Sequence, residues 1–163
     1  MATGPDGCAY TFGGLLSGGS GDTRPGTCAG SVLRLDPETG VWGVLHHGAA
    51  AGPAPAPRNE APGAVIGDGF WIFGGSTQAP PARPGGFGDT AWGEGDMSDE
   101  LWRFDMRLQT WQPVAAAGGP SPRCASGFCA AGDTLYVFGG AGTLPGGGIA
   151  RCALHASIYI YLT

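Results

Sequence analysis

Short apolar runs alternate along the whole chain with stretches of glycine, proline and small polar residues. Three of these runs end alike. Cys8-Ala9-Tyr10-Thr11-Phe12, Phe70-Trp71-Ile72-Phe73 and Leu135-Tyr136-Val137-Phe138 are followed by Gly13 and Gly14, Gly74 and Gly75, and Gly139 and Gly140. Asp6-Gly7, Asp68-Gly69 and Asp133-Thr134 stand just upstream. Asp-Gly tolerates the positive φ of a tight hairpin turn, so each run reads as the second strand of a hairpin. The first glycines lie about 61 and then 65 residues apart, which marks an internal repeat.

A second element repeats downstream. Val32-Leu33-Arg34-Leu35-Asp36 is followed by a Pro37 to Gly40 turn and Trp42, and Leu101-Trp102-Arg103-Phe104-Asp105 by a turn and Trp111. Apolar and polar residues alternate as in a half-buried strand, and Pro and Gly supply the turn chemistry. Ile158-Tyr159-Ile160-Tyr161-Leu162 reads as a third copy without its turn. A third element, Pro57-Arg58 or Pro122-Arg123, leads into an apolar strand ahead of the second and third hairpins; the first copy lacks it. In order, the unit is four antiparallel strands, the content of one propeller blade.

The succession of Pro-Arg, apolar strand, aspartate turn, aromatic strand, Phe-Gly-Gly, then Leu-Trp-Arg-Phe-Asp and Trp111 resembles the kelch repeat. The fold class expected is all-β, a partial kelch-type β-propeller of four-stranded antiparallel blades in an open ring. Residues 1–45 form a blade lacking its first strand, 55–115 a complete blade, and 120–163 a blade lacking its last strand. A closed propeller needs about 4–8 blades. The expectation is therefore a piece of a longer propeller, a self-assembly that buries the open blades, or a sheet completed by another chain's strand. The resemblance implies protein–protein recognition, with oxidases and iron-dependent specifier proteins as the family's catalytic minority.

Composition narrows the function. Gly 33 and Pro 14 are high enough to raise disorder, but 42% hydrophobic residues and Trp 5 argue for a packed core. Net charge is −5, and every basic residue is Arg. No clustered Lys/Arg footprint for nucleic acid is present, and no lysine exists for a Schiff base or a phosphate loop. Cys8, Cys28, Cys124, Cys129 and Cys152 show no Cys-x-x-Cys spacing and suit a reducing, cytoplasmic setting. No apolar run is long enough for a membrane span.

Connection lengths locate the candidate surface. In a four-stranded blade the 2–3 and 4–1 connections share one face of the ring. Here those connections are long, at about 15–30, 46–60, 76–99 and 141–156, whereas the 1–2 and 3–4 turns are short. The long-loop face is the candidate site for a protein partner. The alternative is that these Gly/Ala/Pro loops are fillers. Phe87, Asp89, Trp92, Glu94 and Asp96 concentrate aromatic and acidic character there, as interaction hot spots do. Glu94, Asp96, Asp99 and Glu100 fit no Ca²⁺-loop spacing and read as solvated charge.

Gly13, Gly14, Gly74, Gly75, Gly139, Gly140, Asp36, Asp105, Trp42, Trp111, Arg58 and Arg123 are read as structural repeat positions. The tryptophans, with Trp102, are expected in cores or between blades, and the two arginines at carboxylates or carbonyls. His46 and His47 follow the fourth strand; adjacent residues on a strand point to opposite faces, so the two would not converge on a metal without a turn. Cys8 and Tyr10 do not reproduce an oxidase's Tyr/Cys/His cluster. No catalytic, cofactor or metal residue is assigned; the rival is a segment of a propeller enzyme whose chemistry lies in other blades.

Overall fold

The computed structural model describes residues 1–16, 27–77, 97–115, 118–143, 149–150 and 158–162. Three antiparallel meanders follow one another along the chain. The first runs Ala2–Thr3, Ala9–Phe12, Val32–Leu35, Trp42–His46; the second Gly63–Ile66, Gly69–Phe73, Leu101–Asp105, Thr110–Val114. The third holds Gly127–Ala131, Thr134–Phe138 and Ile158–Leu162. Ala2–Thr3 lies beside Gly63–Ile66, which lies beside Gly127–Ala131, so the sheets stack side by side along their first strands. Among the described residues the only helix is the 3-10 turn Gly48–Ala51.

The first sheet departs from the sequence reading, which leaves it without an opening strand. Ala2 and Thr3 pair with Tyr10 and Ala9 and complete a four-stranded sheet. A two-residue strand displays no hydrophobic period, and no Pro-Arg announces it, so pattern alone does not reveal it.

Two cores lie between the sheets. Cys8, Tyr10, Phe12 and Val32 of the first sheet meet Phe70, Ile72, Phe104 and Trp111 of the second. The opposite face of the second sheet, Ala64, Trp71, Phe73 and Leu101, meets Leu135 and Val137 of the third. The strand Gly69–Phe73 is therefore buried at every residue, whereas Ala9–Phe12 alternates half-buried and buried. A strand covered on both faces has no use for polar side chains, which is why Phe70-Trp71-Ile72-Phe73 is continuously apolar.

The two repeat tryptophans part company. Trp111 pairs with Phe104 and Trp42 with Leu35, the same register position in successive sheets. Trp111 is 4% exposed, edge-on to Phe12 with ring centroids 5.1 Å apart. Trp42 is 49% exposed, which corrects its expected burial. Its face points away from the second sheet, so none of the described sheets covers it. Trp102 is partly buried against the first core.

The 3–4 turns are held by their aspartates. Asp36 Oδ1 accepts hydrogen bonds from the Glu38 and Thr39 N–H groups, and Asp105 Oδ1 from those of Arg107 and Leu108. A side-chain carboxylate capping the next two amides is the reason for aspartate at this position. Asp6, in the first 1–2 turn, gathers the Cys8 N–H, the Tyr10 hydroxyl and the Arg34 guanidinium. Burial alone would raise the Asp6 carboxyl, but these three donors outweigh it and hold it at about 2, below its ordinary 3.8.

The diglycines join one sheet to the next. Gly14 N–H donates to Arg58 O and Gly75 N–H to Arg123 O, both at 2.9 Å. Gly13 and Gly74 have positive φ, and a Cβ there would stand 2.1 Å from Arg58 O and 2.4 Å from Arg123 O. Gly139 has the same φ of 65° as Gly74 but open space around its Cβ direction among the described residues. Both Gly→Ala changes incur left-handed backbone strain of about 1 kcal/mol. Gly74→Ala must in addition displace the neighbouring sheet. Urea unfolding should show Gly74→Ala costing about 1–3 kcal/mol more than Gly139→Ala. Equal losses would remove the carbonyl contact as the reason for Gly74.

A pH dependence follows from Asp6. Its folded-state carboxyl is depressed, so its stabilisation is fully present above 3.8 and is lost as pH falls toward about 2. Thermal unfolding followed between those values should drop more steeply in the native chain than in Asp6→Asn.

Candidate functional site

The segment after each diglycine returns against the segment leading into the next strand. Leu15–Leu16 pairs with Thr27–Cys28, Ser76 bridges both Asn59 and Met97, and Ala141–Thr143 pairs with Arg123–Cys124 and with Ile149–Ala150. These pairings form small separate sheets and single bridges outside the three meanders. The stems of the long loops are thus hydrogen-bonded structure rather than filler.

A closed circuit of backbone hydrogen bonds stands at the foot of the first two of these loops. Gly14 N–H donates to Arg58 O, Arg58 N–H to Ala29 O, and Ala29 N–H to Gly14 O. The same circuit recurs one blade on through Gly75, Arg123 and Ser98. It ties the diglycine, the approach to strand three and the next blade's Pro-Arg into one unit.

The arginine side chains complete it. Arg58 is 1% exposed; its Nε donates to Ala56 O and its Nη1 to Gly74 O. Arg123, 2% exposed, repeats both bonds with Ser121 O and Gly139 O. Each arginine therefore reaches the diglycine of its own blade by the side chain and that of the preceding blade by the main chain. A planar fork with fixed donor directions suits two carbonyls at once.

The arginines differ in one further contact. Arg58 Nη2 donates to Glu100 Oε2 at 2.5 Å, whereas Arg123 Nη2 donates to Ser121 Oγ at 3.0 Å. Burial alone would raise the Glu100 carboxyl; the Arg58 hydrogen bond and charge outweigh it and hold it below the usual range. Ser98 Oγ donates to the same carboxylate and accepts the Glu100 N–H, so Ser98 ties the start of strand three. Half of the Glu100 side chain is open to solvent. It faces a groove of about 490 Å³ that Asp99, Trp102, Pro113, Val114 and Pro120 also line. This groove opens where strand three begins and strand four ends, on the long-loop side of the second blade.

Phe87, Asp89, Trp92, Glu94 and Asp96 lie outside the described residues. Of the neighbouring carboxylates, Asp99 and Glu100 share the groove wall. Among the described residues no three His, Cys, Asp or Glu side chains stand together as metal ligands do. His46 turns inward, 4% exposed, edge-on to Phe104 at 5.8 Å, and its Nδ1 accepts the Gly48 N–H. Burial, then the charge of His47, lowers its pKa. His47 is exposed and lies past the end of the strand, where it is the N-cap residue of the Gly48–Ala51 turn. Cys8, Cys28 and Cys129 are free thiols, of which Cys129 is exposed. No helix among the described residues is long and apolar enough to cross a membrane.

Glu100 and the groove are what sequence reasoning undervalued. The Glu100 side chain meets an arginine 42 residues away, a separation with no local signature. The one available signal was that Arg58 and Arg123 recur while an acidic residue stands at only one of the two strand-three starts.

No protein-family model matches the chain. Over 109 residues it is 33% identical to the Rab9 effector protein with kelch motifs of Bos taurus, spanning 65% of this chain and 25% of that protein. The human protein of that name matches over the same length with the same identity. Over 92 residues it is 35% identical to the N-(sulfonatooxy)prop-2-enimidothioate sulfolyase of Thlaspi arvense, spanning 55% of this chain and 22% of that protein. The chain thus spans about a quarter of the length of the curated relatives it matches. The solved structure of YjhT superposes with a TM-score of 0.58 at 17% identity, covering 88% of this chain and 46% of that one.

Arg58→Lys keeps the charge but loses the fork, and should lower stability by about 2 kcal/mol in urea unfolding through the unpartnered Gly74 carbonyl. Glu100→Gln, at a half-open pair, should cost under about 1 kcal/mol.

Proposed function

Taking the chain as a partial kelch-type β-propeller, we propose that it is a non-catalytic scaffold that binds a protein partner through its long-loop face. One observation carries this reading: the segment after each of the three diglycines is held by backbone pairing at its stem. Each long loop is thus anchored where it leaves its blade. Residues on loops held by a rigid scaffold are the usual carriers of recognition. The groove beside Glu100 offers an apolar wall of Trp102, Pro113 and Val114 next to two carboxylates. Phe87 and Trp92, the aromatic candidates of the sequence, belong to the 76–99 segment that leads into the Trp102 strand. The Rab9 effector relative supports a binding role by its description. The sulfolyase relative supports a second reading, in which the chain is part of a propeller enzyme whose catalytic groups lie in other blades. Self-association through open blades uses a different surface and is compatible with either.

A photo-crosslinking amino acid placed at Trp92 should capture a protein partner, and the same group at Leu108 on the short-turn face should not. Replacing Phe87 with Ala in the chain that carries the crosslinker at position 92 should lower that capture while leaving thermal unfolding unchanged. Capture from Leu108 alone would overturn the assignment of the face. Stoichiometric iron or copper in the purified chain would favour the enzyme reading.

A further inference from the structure

The second sheet has a described sheet packed on each of its faces, and its edge strand is Thr110–Val114. Where that strand ends and Leu101–Asp105 begins, the groove of about 490 Å³ opens beside Asp99 and Glu100. Its wall joins two kinds of surface. Trp102, Pro113, Val114 and Pro120 are apolar, and Asp99 and Glu100 are acidic; among the described residues no basic side chain lines it. Arg58, the cation bonded to Glu100, is 1% exposed and stays out of the groove.

These groups are set before anything binds. The Trp102 ring stands perpendicular to Trp111 with centroids 6.3 Å apart and packs on the first core. Pro113 is its cross-strand partner. Glu100 Oε2 is fixed by donors from Arg58 and Ser98. Asp99 is exposed, and among the described residues no hydrogen bond or ion pair engages it. A wall already rigid loses little freedom on binding. The edge strand itself is a poor template for an added strand, because Pro113 has no N–H to offer. Recognition here therefore falls to a side chain inserted into the groove.

Such a side chain must carry positive charge on a body that packs against an indole and proline rings. Arginine meets both demands. Its guanidinium is planar and weakly hydrated, stacks on aromatic faces and forks onto carboxylates, and its methylene stem covers apolar surface. Resting on the reading of this chain as a protein-binding scaffold, we propose that the groove receives an arginine side chain from an extended segment of the partner, its guanidinium paired with Asp99 and Glu100 and its stem along Trp102 and Pro113.

The experiment is proton–nitrogen correlation NMR of the full labelled chain, with the Trp102 indole signal identified by its loss in Trp102→Phe. The probes are a capped tripeptide with arginine between two alanines and the same peptide with citrulline, which keeps the shape without the charge. The arginine peptide should shift the Trp102 signal saturably, and the citrulline peptide should bind at least about tenfold more weakly. Asp99→Asn should weaken the arginine peptide about two- to fivefold with thermal unfolding unchanged. Glu38→Gln removes an equal charge from an exposed 3–4 turn and should leave binding as it was. Equal responses to the two peptides, or a Trp102 signal that neither moves, sink the arginine assignment. Partner capture by the crosslinker at position 92 is read separately. Capture without a peptide response sinks this inference and keeps the scaffold reading; a peptide response without capture does the reverse.

Discussion

The blades are held in sequence by a carbonyl oxygen lying where a side chain would otherwise begin. Arg58 O occupies the Cβ direction of Gly13, and Arg123 O that of Gly74. Each of these oxygens accepts the N–H of the second glycine in its pair. The next sheet can approach this closely only because its neighbour has no Cβ there. The arginine is fixed in turn by its guanidinium on the diglycine carbonyl of its own blade. The backbone circuit, the buried guanidinium and the two inter-sheet cores are one arrangement, and losing the glycine would disturb all three.

That arrangement also sets the geometry of the long-loop side. The diglycine ends strand two, so the loop that follows leaves from a point already clamped to the next blade. Glu100 draws the same clamp toward solvent. It is bonded to the arginine that holds Gly74, yet half its side chain lines an open groove. A partner that engaged this carboxylate would touch a residue wired directly into the joint between blades.

The sequence displayed the repeats because their chemistry is local. Asp36 and Asp105 cap the amides two and three residues on, and the glycines need a backbone region that other residues avoid. The same reading failed where the deciding neighbour is remote. Trp42 and Trp111 are indistinguishable in their local context, and only the presence of Phe12 beside one of them separates buried from exposed. The opening strand Ala2–Thr3 is too short to show a period and is recognised only by its pairing with Ala9 and Tyr10. Glu100 gained its meaning from an arginine far along the chain. The candidate residues of the 76–99 loop rest on the sequence alone, since most of that loop lies outside the described residues.

The strand Gly69–Phe73 has a consequence for how the chain comes to be folded at all. Buried on both faces, it cannot be satisfied by its own sheet. During synthesis its aromatic run leaves the ribosome well before Leu135 and Val137, which cover one of its sides, exist. Until then the segment is a short, uncharged, β-prone stretch of the kind that nucleates cross-β stacking. The aspartate turn ahead of it and the paired glycines behind it bound its length, and so act as gatekeepers for the nascent chain as well as hinges of the finished blade.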